Sequence, residues 1–180
     1  MKQKNKLFFE IRKTNFFFRL LIFLLLFYFI FKGIAVLVIL ITLSIGLSYL
    51  INSLKIRSLG IELITFIAVL SGMRFGWKLS FIITFILITY HLIAGGFLGT
   101  YIFWVIPAYC LAAIISSFFP HADITTLGII MTLGINLNNI FFTSITNIEY
   151  LPKYMIYVIT NIIFNFLLFT IFGKIFLLLM

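Results

Sequence analysis

The chain has 180 residues, 64% hydrophobic and 9% charged, whereas soluble domains average about 45–50% apolar and about 25% charged residues. So few charges cannot cover a water-facing surface, which excludes a soluble globular domain and leaves a surface that faces lipid. At about 20 residues per spanning helix, the length holds about six or seven spans with no extramembrane domain.

The thirteen Lys and Arg outweigh four acids for a net charge of +9. Six of them, Lys2, Lys4, Lys6, Arg12, Lys13 and Arg19, fall in the first nineteen residues. Basic residues that border apolar runs are a topology signal; nucleic acid is excluded as a partner because a groove-tracking protein needs a basic stripe. The single cysteine, Cys110, excludes a disulfide framework and a multi-cysteine metal site.

In chain order, apolar runs bounded by charges, Gly or Pro are expected at 16–31, 34–54, 60–72, 79–95, 100–119, 125–145 and 154–180. The breaks fall at Lys32-Gly33, 55–58, 73–78, around Gly95, Gly96 and Gly99, at 120–123, and at 146–153 around Pro152. Connections this short make neighbouring helices antiparallel and adjacent. With no period-two alternation the spans must be helical, because open sheet edges go unsatisfied in hydrocarbon. The expected fold is an all-α polytopic membrane bundle. Residues 33–180 form a six-helix transmembrane core, and residues 1–32 form a basic tail with an extra hydrophobic segment, interfacial or spanning.

That first segment is not read as a cleaved leader, since no small-residue cleavage site follows it. Its sixteen residues reach about 24 Å, short of the roughly 30 Å hydrocarbon core, and Arg19 can snorkel at one end. If the segment spans, Lys and Arg divide nine to four between the two sides; if it lies on the surface they divide ten to three. The latter favours six spans and a multi-pass protein of the cell membrane with a cytoplasmic N-terminus.

Ionisable and amide groups at membrane depth are costly, so each is a candidate site residue. Glu62 lies near the start of its helix, His91 near the end of the next, and Tyr101 and Trp104 near the start of the one after. Asn136, Asn138 and Asn139 come late in the following helix, and Tyr157 and Asn161 early in the last, with Asn165 one turn on. In helices that alternate direction, this order places all of them in one half of the membrane, which is the outer half with six spans. A substrate pocket there would use Glu62, His91, Trp104, Asn136, Asn139, Tyr157, Asn161 and Asn165. Plainer roles compete with that reading. Trp104 suits an interfacial aromatic belt, Asn161 and Asn165 share a helix face for interhelical bonding, and Glu62 suits a helix N-terminus.

Catalysis is not expected. The four acids are scattered, His91 and His121 fall on opposite sides, and no zinc-protease or nucleophile-elbow motif is present. No cofactor or metal site is expected either.

The stretch GIELITFIAVLSGMRFG at 60–76, followed by a helix ending in His91 and the Gly95-Gly96 pair, resembles the substrate-binding S components of energy-coupling factor (ECF) transporters. The resemblance covers about 34–180. It implies a six-helix bundle that captures a vitamin-like small organic molecule at the outer face. It also implies docking on a transmembrane T component driven by two ATPases. The family's first helix commonly docks through an Ala-x-x-x-Ala face, whose counterpart here is Ser44, Gly46 and Ser48. The competing expectation is a membrane scaffold without transport, such as the rod-shape protein MreD.

Overall fold

The computed structural model describes residues 2–54, 56, 58–96 and 99–180, with the side chains of 18–22 and of those from 31 onward. The side chains of Lys2, Lys4, Lys6, Arg12 and Lys13, most of the 16–31 segment, and Lys55 and Arg57 altogether lie outside that set. The chain divides into two compact units, Met1–Ala35 and Val36–Met180. The first is helical from Lys2, and the described side chains at 18–22 are exposed.

Helix α1 is Lys2–Ser53. The break expected at Lys32-Gly33 is absent: the helix runs through it, since a single glycine costs a helix only about 1 kcal/mol relative to alanine. The second unit continues with α2 (Ile64–Phe75), α3 (Trp77–Ala94), α4 (Ile102–Ser117), α5 (Ile124–Thr146), α6 (Leu151–Leu168) and α7 (Lys174–Leu179). A 3-10 turn, Ile148–Tyr150, leads into α6, and a π turn, Phe169–Gly173, joins α6 to α7. No strand occurs among the described residues. This is an all-α bundle, and the protein is a membrane protein.

Four stretches are long and apolar enough to cross a membrane: Phe31–Ser53, Trp77–Ala94, Ile124–Thr146 and Ile148–Leu179. Their outer faces expose large apolar side chains such as Ile86 on α3, Leu137 on α5 and Ile163 on α6, as lipid contact allows. The expected spans at 60–72 and 100–119 form helices of 12 and 16 residues. These reach only about 18 and about 24 Å, so neither matches the roughly 30 Å core alone.

The short α2 is the centre of the unit. Residues 64–73 are buried without interruption, and α2 packs against α3, α4, α5, α6 and α7. A helix apolar on every side is a core helix. Small residues allow the close approach to α4, where a Cβ on Gly72 would lie 2.5 Å from the Ala113 carbonyl oxygen. Gly76, at φ 81°, turns the chain directly into α3, a conformation that side chains with a Cβ disfavour. Ser71 and Ser80 then bond across that turn at 2.8 Å, and the Ser80 hydroxyl donates to the Ala68 carbonyl at 2.9 Å.

Candidate functional site

Glu62 is buried at 2% exposure just before α2. Its Oε2 accepts the backbone N–H groups of Ile64 and Thr65, the orphan donors of a helix N-terminus. Its Oε1 accepts the Thr65 hydroxyl at 2.6 Å and the amides of Asn161 and Asn165 at 3.2 and 3.4 Å. Every group touching the two oxygens is a donor, the environment of an ionised carboxylate. An acid in a membrane core is thereby held by a helix end, a hydroxyl and two amides.

The network extends across three helices. The Asn161 Nδ2 also donates to the Gly60 carbonyl at 2.9 Å, and its Oδ1 accepts from Asn136 Nδ2 at 2.8 Å. Asn136 Nδ2 further donates to the Thr132 carbonyl at 2.8 Å, and Asn165 Nδ2 to the Asn161 carbonyl at 3.1 Å. All three asparagines are buried. Gly60 is required where it stands, because a Cβ would collide with the Tyr157 carbonyl and Asn161. Two acceptors, Asn136 Oδ1 and Asn165 Oδ1, are buried with no partner among the described residues.

Aromatic and polar groups surround this core at the same end of the bundle. The hydroxyls of Tyr109 and Tyr157 meet at 3.3 Å, and Tyr157 stacks on Tyr154 with centroids 5.5 Å apart. Tyr109, Tyr157 and His91 all lie within electrostatic reach of Glu62. His91 Nδ1 pairs with the Ser48 hydroxyl at 2.9 Å, tying α3 to α1. Trp104 stacks on Phe142 at 5.6 Å, and its carbonyl accepts from Asn138 Nδ2, which also reaches Asn139 Oδ1. The buried indole Nε1–H of Trp104 has no partner among the described residues.

Of the residues singled out from the sequence, Glu62, Asn136, Asn161 and Asn165 therefore meet by direct hydrogen bonds. Tyr157 joins them through its packing on Gly60, while Trp104, Asn139 and His91 belong to neighbouring contacts. Among Ser44, Gly46 and Ser48, the two serines are buried and only Gly46 is at a surface. Sequence reasoning missed Thr65 and Thr132. Their signals were the three-residue offset of Thr65 from Glu62 and the one-turn offset of Thr132 from Asn136.

No group of three or more metal-ligating side chains occurs among the described residues. The opposite end of the bundle differs in character. There Asp123 caps α5 by accepting the Thr126 N–H at 2.9 Å and its hydroxyl at 3.0 Å, and it pairs with Lys174 at 3.5 Å. These hydrogen bonds from Thr126, with the Lys174 charge, hold the exposed Asp123 carboxyl below its ordinary value.

No protein-family model matches this sequence, and no curated protein and no solved structure matches it.

Proposed function

We propose that this protein is the membrane-embedded capture subunit of an uptake transporter, an S component of the ECF type, which binds a small organic molecule in the polar half of its bundle. One observation carries this reading: a carboxylate and three amides buried together at one end of a lipid-facing bundle, with two amide oxygens unpartnered among the described residues. Inert anchors have no use for such groups, which are costly at membrane depth. The resemblance of residues 60–76 to the S components supports the same reading.

In this reading the chain is a multi-pass protein of the cell membrane with a cytoplasmic N-terminus, and the polar half faces outward. It has no nucleotide-binding motif of its own, so active uptake relies on a T component and ATPase subunits. Affinity purification from native membranes under mild detergent tests this directly. The expected result is co-purification of a second multi-span protein with nucleotide-binding subunits, and a small molecule released on denaturation and seen by mass spectrometry. Recovery of neither overturns the proposal.

A second reading, an MreD-like scaffold, draws on the degree to which the Glu62 network closes on itself. A scaffold would retain full function when Asn139 is replaced by Leu, whereas the capture subunit would lose uptake.

A further inference from the structure

If the polar half holds a substrate, its hydrogen-bonding pattern dictates what that substrate carries. A carboxylate can only accept. The amide nitrogens of Asn161 and Asn165 are therefore turned toward Glu62, and their oxygens are turned away. Asn161 Oδ1 accepts from the nitrogen of Asn136, which leaves the buried Asn136 oxygen as the end of that amide turned away from Asn161. Each of the three amide nitrogens donates twice: Asn161 to Gly60 and Glu62, Asn165 to Glu62 and Asn161, Asn136 to Thr132 and Asn161. The donors of these three amides are thus all in use, and what they leave unused among the described residues is acceptor capacity, at Asn136 Oδ1 and Asn165 Oδ1, whereas the unpartnered Trp104 Nε1–H belongs to the neighbouring contact with Phe142.

Charge points the same way. No Lys or Arg pairs with Glu62 among the described residues, whose one ion pair is Lys174 with Asp123. Tyr109 and Tyr157 lie within reach of the Glu62 charge, and tyrosine is one of the side chains that attract a cation. An anion would meet the Glu62 charge and find no free donor on these three amides. A neutral ligand would leave the Glu62 charge without a counter-charge.

We propose that the occupant is a small organic cation with N–H donors, an ammonium or amidinium, seated on Asn136 Oδ1 and Asn165 Oδ1 with the Glu62 charge behind them. This rests on the capture reading above and narrows it to one class of substrate.

Thermal unfolding of the full chain in sodium-free detergent solution tests it, using phenethylamine and benzamidine against hydrocinnamate, which puts a carboxylate on the same phenethyl group, with sodium chloride as a separate arm. The cations are expected to raise the melting temperature, and hydrocinnamate and sodium are not. Asn136→Leu and Glu62→Gln should each weaken phenethylamine binding by about tenfold or more, with unchanged helicity and elution. Where Glu62→Gln fails to fold, Asn136→Leu decides. Stabilisation by hydrocinnamate equal to that by the amines overturns the cationic occupant while leaving capture intact. Stabilisation by sodium alone overturns it in favour of a metal ion. If no probe stabilises the protein and no small molecule co-purifies, both the cationic occupant and capture itself fall.

Discussion

Glu62 does two jobs with one carboxylate. It caps the N-terminus of α2 through Ile64 and Thr65, and it anchors α6 through Asn161 and Asn165. Glu62→Ala strips the acceptor from all of these donors at once, in a place water does not reach. A buried donor left unmade costs about 1–3 kcal/mol, so the expected outcome is a large fall in the detergent melting temperature. Asn161→Leu should behave similarly, because its amide bridges Gly60, Glu62 and Asn136. The sequence made Glu62 and the asparagines visible because an acid or amide inside an apolar run is conspicuous. It did not show who bonds whom. Thr65 and Thr132 look ordinary in a helix, and their part is to complete, through bonds three and four residues away, a network whose other members lie about a hundred residues apart in the chain.

Close packing of α2 on α4 gives a paired test of elements. Gly72→Ala places a Cβ 2.5 Å from the Ala113 carbonyl oxygen and 3.0 Å from Ser116, and overpacking of this kind costs about 1–3 kcal/mol. Gly134→Ala on α5 meets nothing within 4 Å, and should gain about 0.5–1 kcal/mol from helix propensity. Opposite shifts in melting temperature check both. Asp123 gives a pH test at the start of α5. Because its folded-state value is lowered, its capping contribution is complete above the ordinary carboxylate range, near about pH 3.9. That contribution is lost only as pH falls below this range toward the lowered value. Hydrogen exchange at the Thr126 amide should therefore be slow and pH-independent, beyond intrinsic chemistry, from pH 7 to 5, and fast throughout that range in Asp123→Ala.

Helix starts and stops were legible where glycine or proline breaks the chain, as at Gly76 and Pro152. They were not legible at Lys32-Gly33, where apolar neighbours carry a helix through a residue pair that looks like punctuation. The π turn at Phe169–Gly173 left no trace in the periodicity. It exists because the Phe169 ring lodges against Gly128 and Phe66, and because the Thr125 hydroxyl takes the Phe169 carbonyl at 3.2 Å.

For the whole molecule, composition dictated a surface that faces lipid, since 9% charge leaves no other, and the lack of period-two alternation then made the bundle all-α. The number of long spans was less accessible, because an apolar run on a buried core helix reads the same as one on a lipid-facing helix. The outward orientation proposed for the polar half draws on the arrangement of charge, with Arg74, Lys78 and Lys174 on the helix ends and turns away from Glu62. In a Cys110→Ala background, Thr100→Cys should label with a membrane-impermeant maleimide added outside intact cells, and Lys78→Cys should label only after lysis. The reverse pattern would turn the polar half inward and remove the outward-facing capture site.

The uninterrupted burial of residues 64–73 bears on how the protein is made. During synthesis α2 leaves the ribosome before α4, α5 and α6, the helices that cover it, and at about 18 Å it is too short to be released into lipid as a span of its own. It must wait, with Glu62 capping it from the start, until its neighbours arrive. A chain stalled after α3 therefore carries an unhoused helix, and quality-control proteases should clear such truncations while sparing the finished bundle.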